Sequence, residues 1–335
     1  MNEVASPAAS ADRRPSAFTT WTATWASQIG ITVAFVLLWL TFIILAPGTF
    51  LSADIYLSFA QTTPYFALVA LPLTMVIISG DIDLSFPGIM ALGMVGFVFT
   101  WQATGSVPLG VVACLIAGSL AGLFNGLVVT LIGIPSLVVT IGSQFLFRGL
   151  TLVLVNGRSY ALVDTKQSPA YDVLVGRPLG IPMEFWWLVL ASIGTWILLN
   201  RHRLGQNAYV IGDNRQAARL MGIPSRRTRI TLFVFTGLVA AFAGMLNSLQ
   251  IVNFYPGIGD GYLLPTLAAV FVGGTSVFGG RGSIWGTFIG AFMIGGIQAG
   301  IVAAGLTDYY TNLIYGAVIL ISVSIHAVLQ RRFTR

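Results

Sequence analysis

Two carboxylates, Asp81 and Asp83, stand in Ser79-Gly80-Asp81-Ile82-Asp83-Leu84-Ser85-Phe86-Pro87-Gly88, between two long apolar runs. A carboxylate at the centre of a bilayer costs about 3 kcal/mol or more, so acids at such depth face a cavity or the interior of a helix bundle. Gly80 and Pro87 bracket the pair and favour a broken helix over a continuous span. Broken helices at membrane depth line pathways, and their ends bind polar groups. The plainer reading is that Asp81 or Asp83 caps the helix opening near Pro87. The two readings are compatible, and both stay open.

A second polar break, Gly273-Gly274-Thr275-Ser276-Val277-Phe278-Gly279-Gly280-Arg281-Gly282-Ser283, also joins two apolar runs. It lacks the lysine and the spacing of a phosphate-cradling P-loop, so a tight turn that lets helices pack is the better reading. Both breaks follow one plan, a glycine and polar turn between apolar runs, which hints at an internal duplication. No enzyme signature accompanies them. His202 and His326 are far apart, no acids other than Asp81 and Asp83 are near neighbours, and no His, Cys and carboxylate spacing suggests a metal. Asn125, Gln144, Asn247, Gln250 and Asn253 are polar residues in or near apolar runs; each can line a path or make an interhelical hydrogen bond. The candidate translocation-pathway residues are Asp81, Asp83, Ser85, Asn125, Thr275 and Ser276.

The longest polar interval inside the apolar sequence is residues 201–229, with seven arginines (Arg201, Arg203, Arg215, Arg219, Arg226, Arg227, Arg229) against one acid, Asp213. A basic segment between membrane-length runs stays on the cytoplasmic face, because Lys and Arg resist translocation. It also offers a surface that a soluble partner can grip. Asp213 or Asn214 can cap a helix over 214–221, Ala217 and Ala218 favour it, and Gly222 with Pro224 ends it.

The elements that must position these stretches follow from composition. The chain has 335 residues, 56% hydrophobic and only 8% charged, where a soluble domain has about a quarter charged. There is too little charge to cover a water-exposed surface, so this is an integral membrane protein. The net charge of +6 does not point to nucleic acid, because it sits at loops and ends in a positive-inside pattern. The single cysteine, Cys114, excludes an internal disulfide. Apolar runs fall near 29–46, 57–79, 87–103, 107–131, 135–156, 184–200, 230–251, 262–279, 283–303 and 309–329. A crossing helix needs about 20 such residues, and unsatisfied backbone cannot face lipid. The expected fold is therefore all-α, a polytopic membrane helix bundle of about ten transmembrane helices, the short run 87–103 being the least secure crossing. Residues 1–28 read as an uncleaved cytoplasmic tail and residues 29–335 as one transmembrane domain. With an inside N-terminus, thirteen basic residues fall inside: Arg13, Arg14, the seven of the loop, Arg281, Arg331, Arg332 and Arg335. Arg158, Lys166 and Arg177 fall outside and Arg148 lies within the fifth run. Residues 157–183, with three prolines, form the longest external loop and suit a short surface element. The helical glycines Gly118, Gly122 and Gly126, and Gly286 and Gly290, have the four-residue spacing that lets helix backbones approach closely, within the chain rather than between subunits as the first reading.

Four motifs in order, GDIDLSFPGIMALG, GLFNGLVVTLIGIPSLVVTIGSQFLFRGLTLVL, GDNRQAARLMGI and LAAVFVGGTSVFGGRGSIWGTFIGA, resemble the permease subunits of bacterial sugar ABC importers of the ribose, xylose and arabinose type, from about residue 60 to the C-terminus. The resemblance implies a permease dimer formed by two copies of the chain, with a cytoplasmic ATPase that holds ATP and Mg, a periplasmic sugar-binding protein, and no cofactor on this chain. It also implies that the segment carrying Gly212, Asn214, Ala217, Ala218, Arg219, Gly222 and Ile223 is a cytoplasmic coupling helix that docks on the ATPase. One departure stands out: the family pattern is Gly-Gly-Ile-Asp-Leu-Ser, and here its second glycine is Asp81. The function implied is inward movement of a monosaccharide or polyol by alternating access, with no catalysis on this chain. The alternatives are an ATP-independent facilitator, which would need ion-coupling residues and no docking loop, a membrane enzyme, which would need a catalytic constellation, and an amino-acid permease of the same plan, against which the Ile-Asp-Leu-Ser pattern leans.

Overall fold

The computed structural model describes residues 17–303 and 309–333, with side chains described from residue 28 to residue 324 outside that gap. Its helices are α1 (Ala17–Leu45), α2 (Pro47–Phe50), α3 (Ala53–Thr62), α4 (Pro64–Ile78), α5 (Phe86–Thr104), α6 (Val107–Leu127), α7 (Ser136–Val155), α8 (Pro169–Val175), α9 (Met183–Asn200), α10 (Arg203–Asp213), α11 (Arg215–Leu220), α12 (Ser225–Gln250), α13 (Leu263–Val272), α14 (Ile284–Ala303) and α15 (Tyr309–Phe333). The only strands among the described residues are two short antiparallel ones, β1 (Tyr160–Ala161) and β2 (Asn253–Phe254).

α4 is the axis of the bundle: all fifteen of its residues are buried, packed among α9, α12, α13 and α14. Around it the apolar pattern is the reverse of a soluble protein's. α6 turns Gly118, Gly122 and Gly126 inward and Leu109, Val112, Ile116 and Leu120 outward. The inward glycines meet α12 backbone to backbone, Gly118 at Gly237 and Gly122 at Phe233 and Val234. Lipid offers no hydrophobic drive to hold helices together, so close van der Waals packing must do it. Gly286 and Gly290 act in the same way on Gly273 and Ala269 of α13 and its end, so both glycine rows are used within the chain. Gly122→Leu would drive a side chain into the backbone of α12 and should destabilise the bundle by about 1–3 kcal/mol, read as a lower unfolding temperature of the detergent-purified protein.

Seven helices among the described residues are long and apolar enough to cross a membrane, or eight if α3 and α4, bent by 50° at Thr63, form one span. The expected ten runs all carry helix, but the structure does not bear out ten crossings of membrane length. The run 262–279 is helical only as far as Val272. There Gly274, at φ 85°, turns the chain, and Val277 and Phe278 belong to the loop. The run near 87–103 is a full nineteen-residue span, α5. α1 opens at Ala17, inside the expected tail, although its membrane-length apolar part starts at Gln28. The rest of that tail, residues 1–16 with Arg13 and Arg14, and Arg335 at the other end, lie outside the described residues.

α4 and α13 end alike. Asp81 N donates to Val76 O and Gly80 N to Ile77 O; Thr275 N donates to Val270 O and Gly274 N to Phe271 O. Gly80 and Gly274 are both left-handed, as this cap requires. At the opposite end, residues 157–182 fold onto the bundle as a surface element. β1 pairs with β2, Tyr160 stacking on Phe254, and α8 packs on α12 and α9. Arg148 of α7 bonds Asp260 and the carbonyls of Pro256 and Ile258 at this end, so the charge inside the fifth run is neutralised by a loop.

Candidate functional site

The basic interval folds as a bent helical hairpin between α9 and α12. His202 Nδ1 accepts from Leu204 N and starts α10. Asn214 ends α10 and begins α11: its backbone is extended (φ −152°), and its Oδ1 accepts from the N–H groups of Gln216 and Ala217, each at 3.0 Å. Gly222, at φ 74°, closes α11, with Gly222 N on Arg219 O and Ile223 N on Ala218 O. Those two bonds are the six-to-one and five-to-two pair of a glycine helix stop. Ala218 is buried, whereas Arg219 is exposed. Beyond it, Leu220 and Met221 are 83% and 63% exposed. Two large apolar side chains held out on a rigid polar turn are a docking surface in form. Sequence reading missed them, although the signal was present: an apolar pair inside a basic interval.

This hairpin is locked to the end of the bundle through glycines. A Cβ on Gly212 would run into the Ile78 carbonyl oxygen at the end of α4 and approach Gly280 N at 2.6 Å. One on Gly279 would stand 3.1 Å from both Gly212 O and Gly80 Cα. Gly280 N donates to Ile78 O at 2.8 Å, and Tyr209 OH to Gly282 O at 2.7 Å. The end of α4, the end of α10 and the loop 273–283 thus touch as bare backbone, which only glycine permits.

Charge completes the junction. Asp81 is 3% exposed. Arg229, in the first turns of α12, donates to it through Nε at 2.5 Å and Nη2 at 2.7 Å. Arg215, at the start of α11, places Nη2 3.5 Å from the same carboxylate and from Gly80 O. Burial lowers the Arg215 guanidinium from its ordinary range, and Asp81 opposes that shift. The two-toothed grip on Asp81 is the strong arginine–carboxylate geometry. The acid that departs from the family pattern therefore ties the hairpin to the break after α4.

Asp83 sits on the other side of that break. Its Oδ1 accepts from Ser85 N and Ser85 Oγ at 2.9 and 2.6 Å, and Asn125 Nδ2 donates to Ser85 Oγ at 2.7 Å. These bonds shape the approach to α5; Ser85, not an aspartate, occupies its cap position. Asp83 Oδ2 and Asn125 Oδ1 have no partner among the described residues. Thr275 and Ser276 shape the glycine loop, Ser276 N bonding Arg281 O and Ser276 Oγ accepting from Phe278 N. All six pathway candidates are buried. The structure gathers them at the hairpin end of the bundle in two groups, Asp81 with Thr275 and Ser276 about the glycine junction and Asp83, Ser85 and Asn125 in one hydrogen-bonded chain.

A polar cavity of about 540 Å³ lies at the opposite end. The ends of α3, α12 and α14 and the starts of α4, α13 and α15 line it, with Gln61, Tyr65, Asn247, Tyr262, Gln298 and Thr311 among its walls. No local pattern marks it, since its residues are spread across most of the chain. Asn247 and Gln250 were visible only as isolated polar residues in a helix.

A model of the family described as branched-chain amino acid transport system / permease component matches residues 55–323, which include both the junction and the cavity. The chain belongs to this family. It is a transport subunit of the multi-pass inner-membrane kind, and not an enzyme. It is 32% identical over 267 residues to the autoinducer 2 import system permease protein LsrD of Salmonella typhi, covering 77% of this chain and 80% of that protein. To the ribose import permease protein RbsC of Escherichia coli K12 it is 32% identical over 281 residues, 83% and 87% of the two chains. No solved structure matches it. A permease of this family works in an ABC importer, with an ATPase and a periplasmic binding protein as partners.

Proposed function

We propose that this permease moves a monosaccharide or polyol inward by alternating access, and that α11 is where its ATPase pushes. The observation that carries the reading is the capped α11 with Leu220 and Met221 held out and its base welded to the end of α4 and the loop 273–283 through Gly212. A force on α11 reaches the central helix through backbone contact. The solute class follows the importer relatives, one of which carries ribose by its name, and the Ile-Asp-Leu-Ser motif. ATP and Mg belong to the ATPase, with no cofactor on this chain. The permease pairs with a second copy of itself in the lipid bilayer, receives solute from the binding protein outside, and keeps both termini, residues 1–28 and the basic C-terminus, in the cytoplasm. Gly212, Asn214, Ala217, Ala218, Arg219, Gly222 and Ile223 build the coupling element: Gly212 for close approach, Asn214, Gly222 and Ile223 for its caps, Ala217 and Ala218 for its helix and inner face, Arg219 for its outer face. Asp83, Ser85, Asn125, Thr275 and Ser276 hold the inner ends of the pathway helices in place.

The test is Leu220→Asp with Met221→Asp in the assembled transporter. Both side chains point to solvent, so the permease should fold. Recovery of ATPase with the purified permease should drop about 30-fold or more, as for a lost interface hot spot, and ATP-driven uptake should stop. Uptake that continues when the ATPase cannot hydrolyse ATP would favour the facilitator and withdraw the role of α11.

A further inference from the structure

The cavity at the end away from the hairpin has the chemistry of a sugar site. Asn247 Nδ2 donates to Tyr262 OH at 2.9 Å, Tyr315 OH donates to Gln298 Oε1 at 3.4 Å, and Tyr65 OH donates to the buried Glu184 at 3.2 Å. These bonds hold carboxamides and tyrosine rings in place around the space. A carboxamide presents a donor and an acceptor side by side, the arrangement that matches two neighbouring hydroxyls. A tyrosine ring supplies an apolar face for the C–H side of a pyranose or furanose, with a polar tip beside it. Thr311 offers a hydroxyl to the space: it lines the cavity, is 7% exposed, and its Oγ1 has no partner among the described residues. A buried hydroxyl is left unpaired at a cost, and native structures usually satisfy it.

The lining also limits the ligand. Among the described residues, none that lines the cavity is charged. An amino acid or a sugar phosphate brought into it would lose water around its charges with no countercharge on the walls, which is strongly unfavourable. A neutral polyhydroxy compound would exchange water for carboxamides and hydroxyls at little cost. At about 540 Å³ the space falls in the usual ~300–1,000 Å³ range of small-molecule sites.

We propose that this cavity, formed within one protomer by Tyr65, Asn247, Tyr262, Gln298 and Thr311, is the subsite that receives a neutral polyhydroxy solute with adjacent hydroxyls on entry to the permease. The inference rests on the importer reading and on the end of the bundle opposite the basic hairpin being the outer one.

The experiment uses permease, ATPase and binding protein together in proteoliposomes, measuring labelled solute taken up and ATP hydrolysed in the same vesicles. The probes are neutral pentoses, hexoses and polyols, a branched-chain amino acid and a sugar phosphate. The variants are Thr311→Val, which keeps shape and removes the hydroxyl, and Gln298→Leu. Each should reduce the solute moved per ATP about tenfold, the effect of one lost hydrogen bond to the solute, while ATP hydrolysis stimulated by the binding protein is unchanged. Thr311→Val should not lower the unfolding temperature, because it removes an unpaired group; a structural role for the hydroxyl would lower it. Solute moved per ATP equal to that of the unaltered transporter in both variants would overturn the proposal, as would preferred uptake of the amino acid or the sugar phosphate. If the unaltered transporter shows no ATP-driven uptake of any probe, the importer reading itself fails and the subsite falls with it.

Discussion

Asp81→Asn should destabilise the bundle by about 3–5 kcal/mol, the loss expected when one member of a buried ion pair is removed. Arg229 is 7% exposed and has Asp81 as its bidentate partner. Without the carboxylate its guanidinium stays buried with no countercharge. Arg215 adds little to the magnitude, since its side chain is 40% exposed and its contact is 3.5 Å long, within reach of solvent screening. The control is Asp81→Asn combined with Arg229→Met. Removing both charges takes away the unpaired guanidinium, so more than half of the lost stability should return, as it does when buried ion pairs are exchanged for apolar side chains. Thermal unfolding of the purified permease, followed by tryptophan fluorescence, reads both steps. A single variant as stable as the original protein would mean that water or another group satisfies Arg229 and that the pair does not hold the junction.

Gly212→Val should have the second large effect, and for a steric reason. The atoms an added side chain meets are the Ile78 carbonyl oxygen and the Gly280 amide. Both are backbone atoms and cannot rotate aside. Overpacking costs about 1–3 kcal/mol where neighbours can give, and here it must part α10 from α4 and from the loop 273–283. The contact reaches only the last residue of α4 and none of the other long helices, so the variant should still insert in the membrane, with a lower unfolding temperature and ATP-driven uptake lost. Gly212→Ala tests the cause, because the Cβ alone makes the clash. If alanine transports normally, the three segments have more freedom than the packing shows, and force from α11 does not reach α4 by this route.

Several features were readable from local pattern because local physics sets them. Asn214 caps α11 and Gly222 stops it through hydrogen bonds within a few residues, so type and spacing were enough. The rows Gly118, Gly122, Gly126 and Gly286, Gly290 announced close helix packing, and the contacts are there. Hydropathy was weaker at the run 262–279, since it measures composition and not backbone direction: Val277 and Phe278 are apolar, yet Gly274 has already turned the chain. The count of ten crossings is not confirmed for a related reason, because α13 is only ten residues long and α3 and α4 are bent against each other.

By itself the sequence determined the solvent and the element type. So little charge over so many apolar residues requires a bilayer, and a bilayer requires helices whose backbone bonds close internally. It also determined the family, because four motifs stand in a fixed order along the chain, and it located the basic hairpin. Only the tertiary structure decided which partners the polar residues take. Asp81 meets Arg229 across 148 positions, Gly212 meets Ile78 and Gly280, and the cavity joins Gln61 to Thr311. Such contacts depend on how helices pass one another, and neither a propensity nor a hydropathy window carries that information.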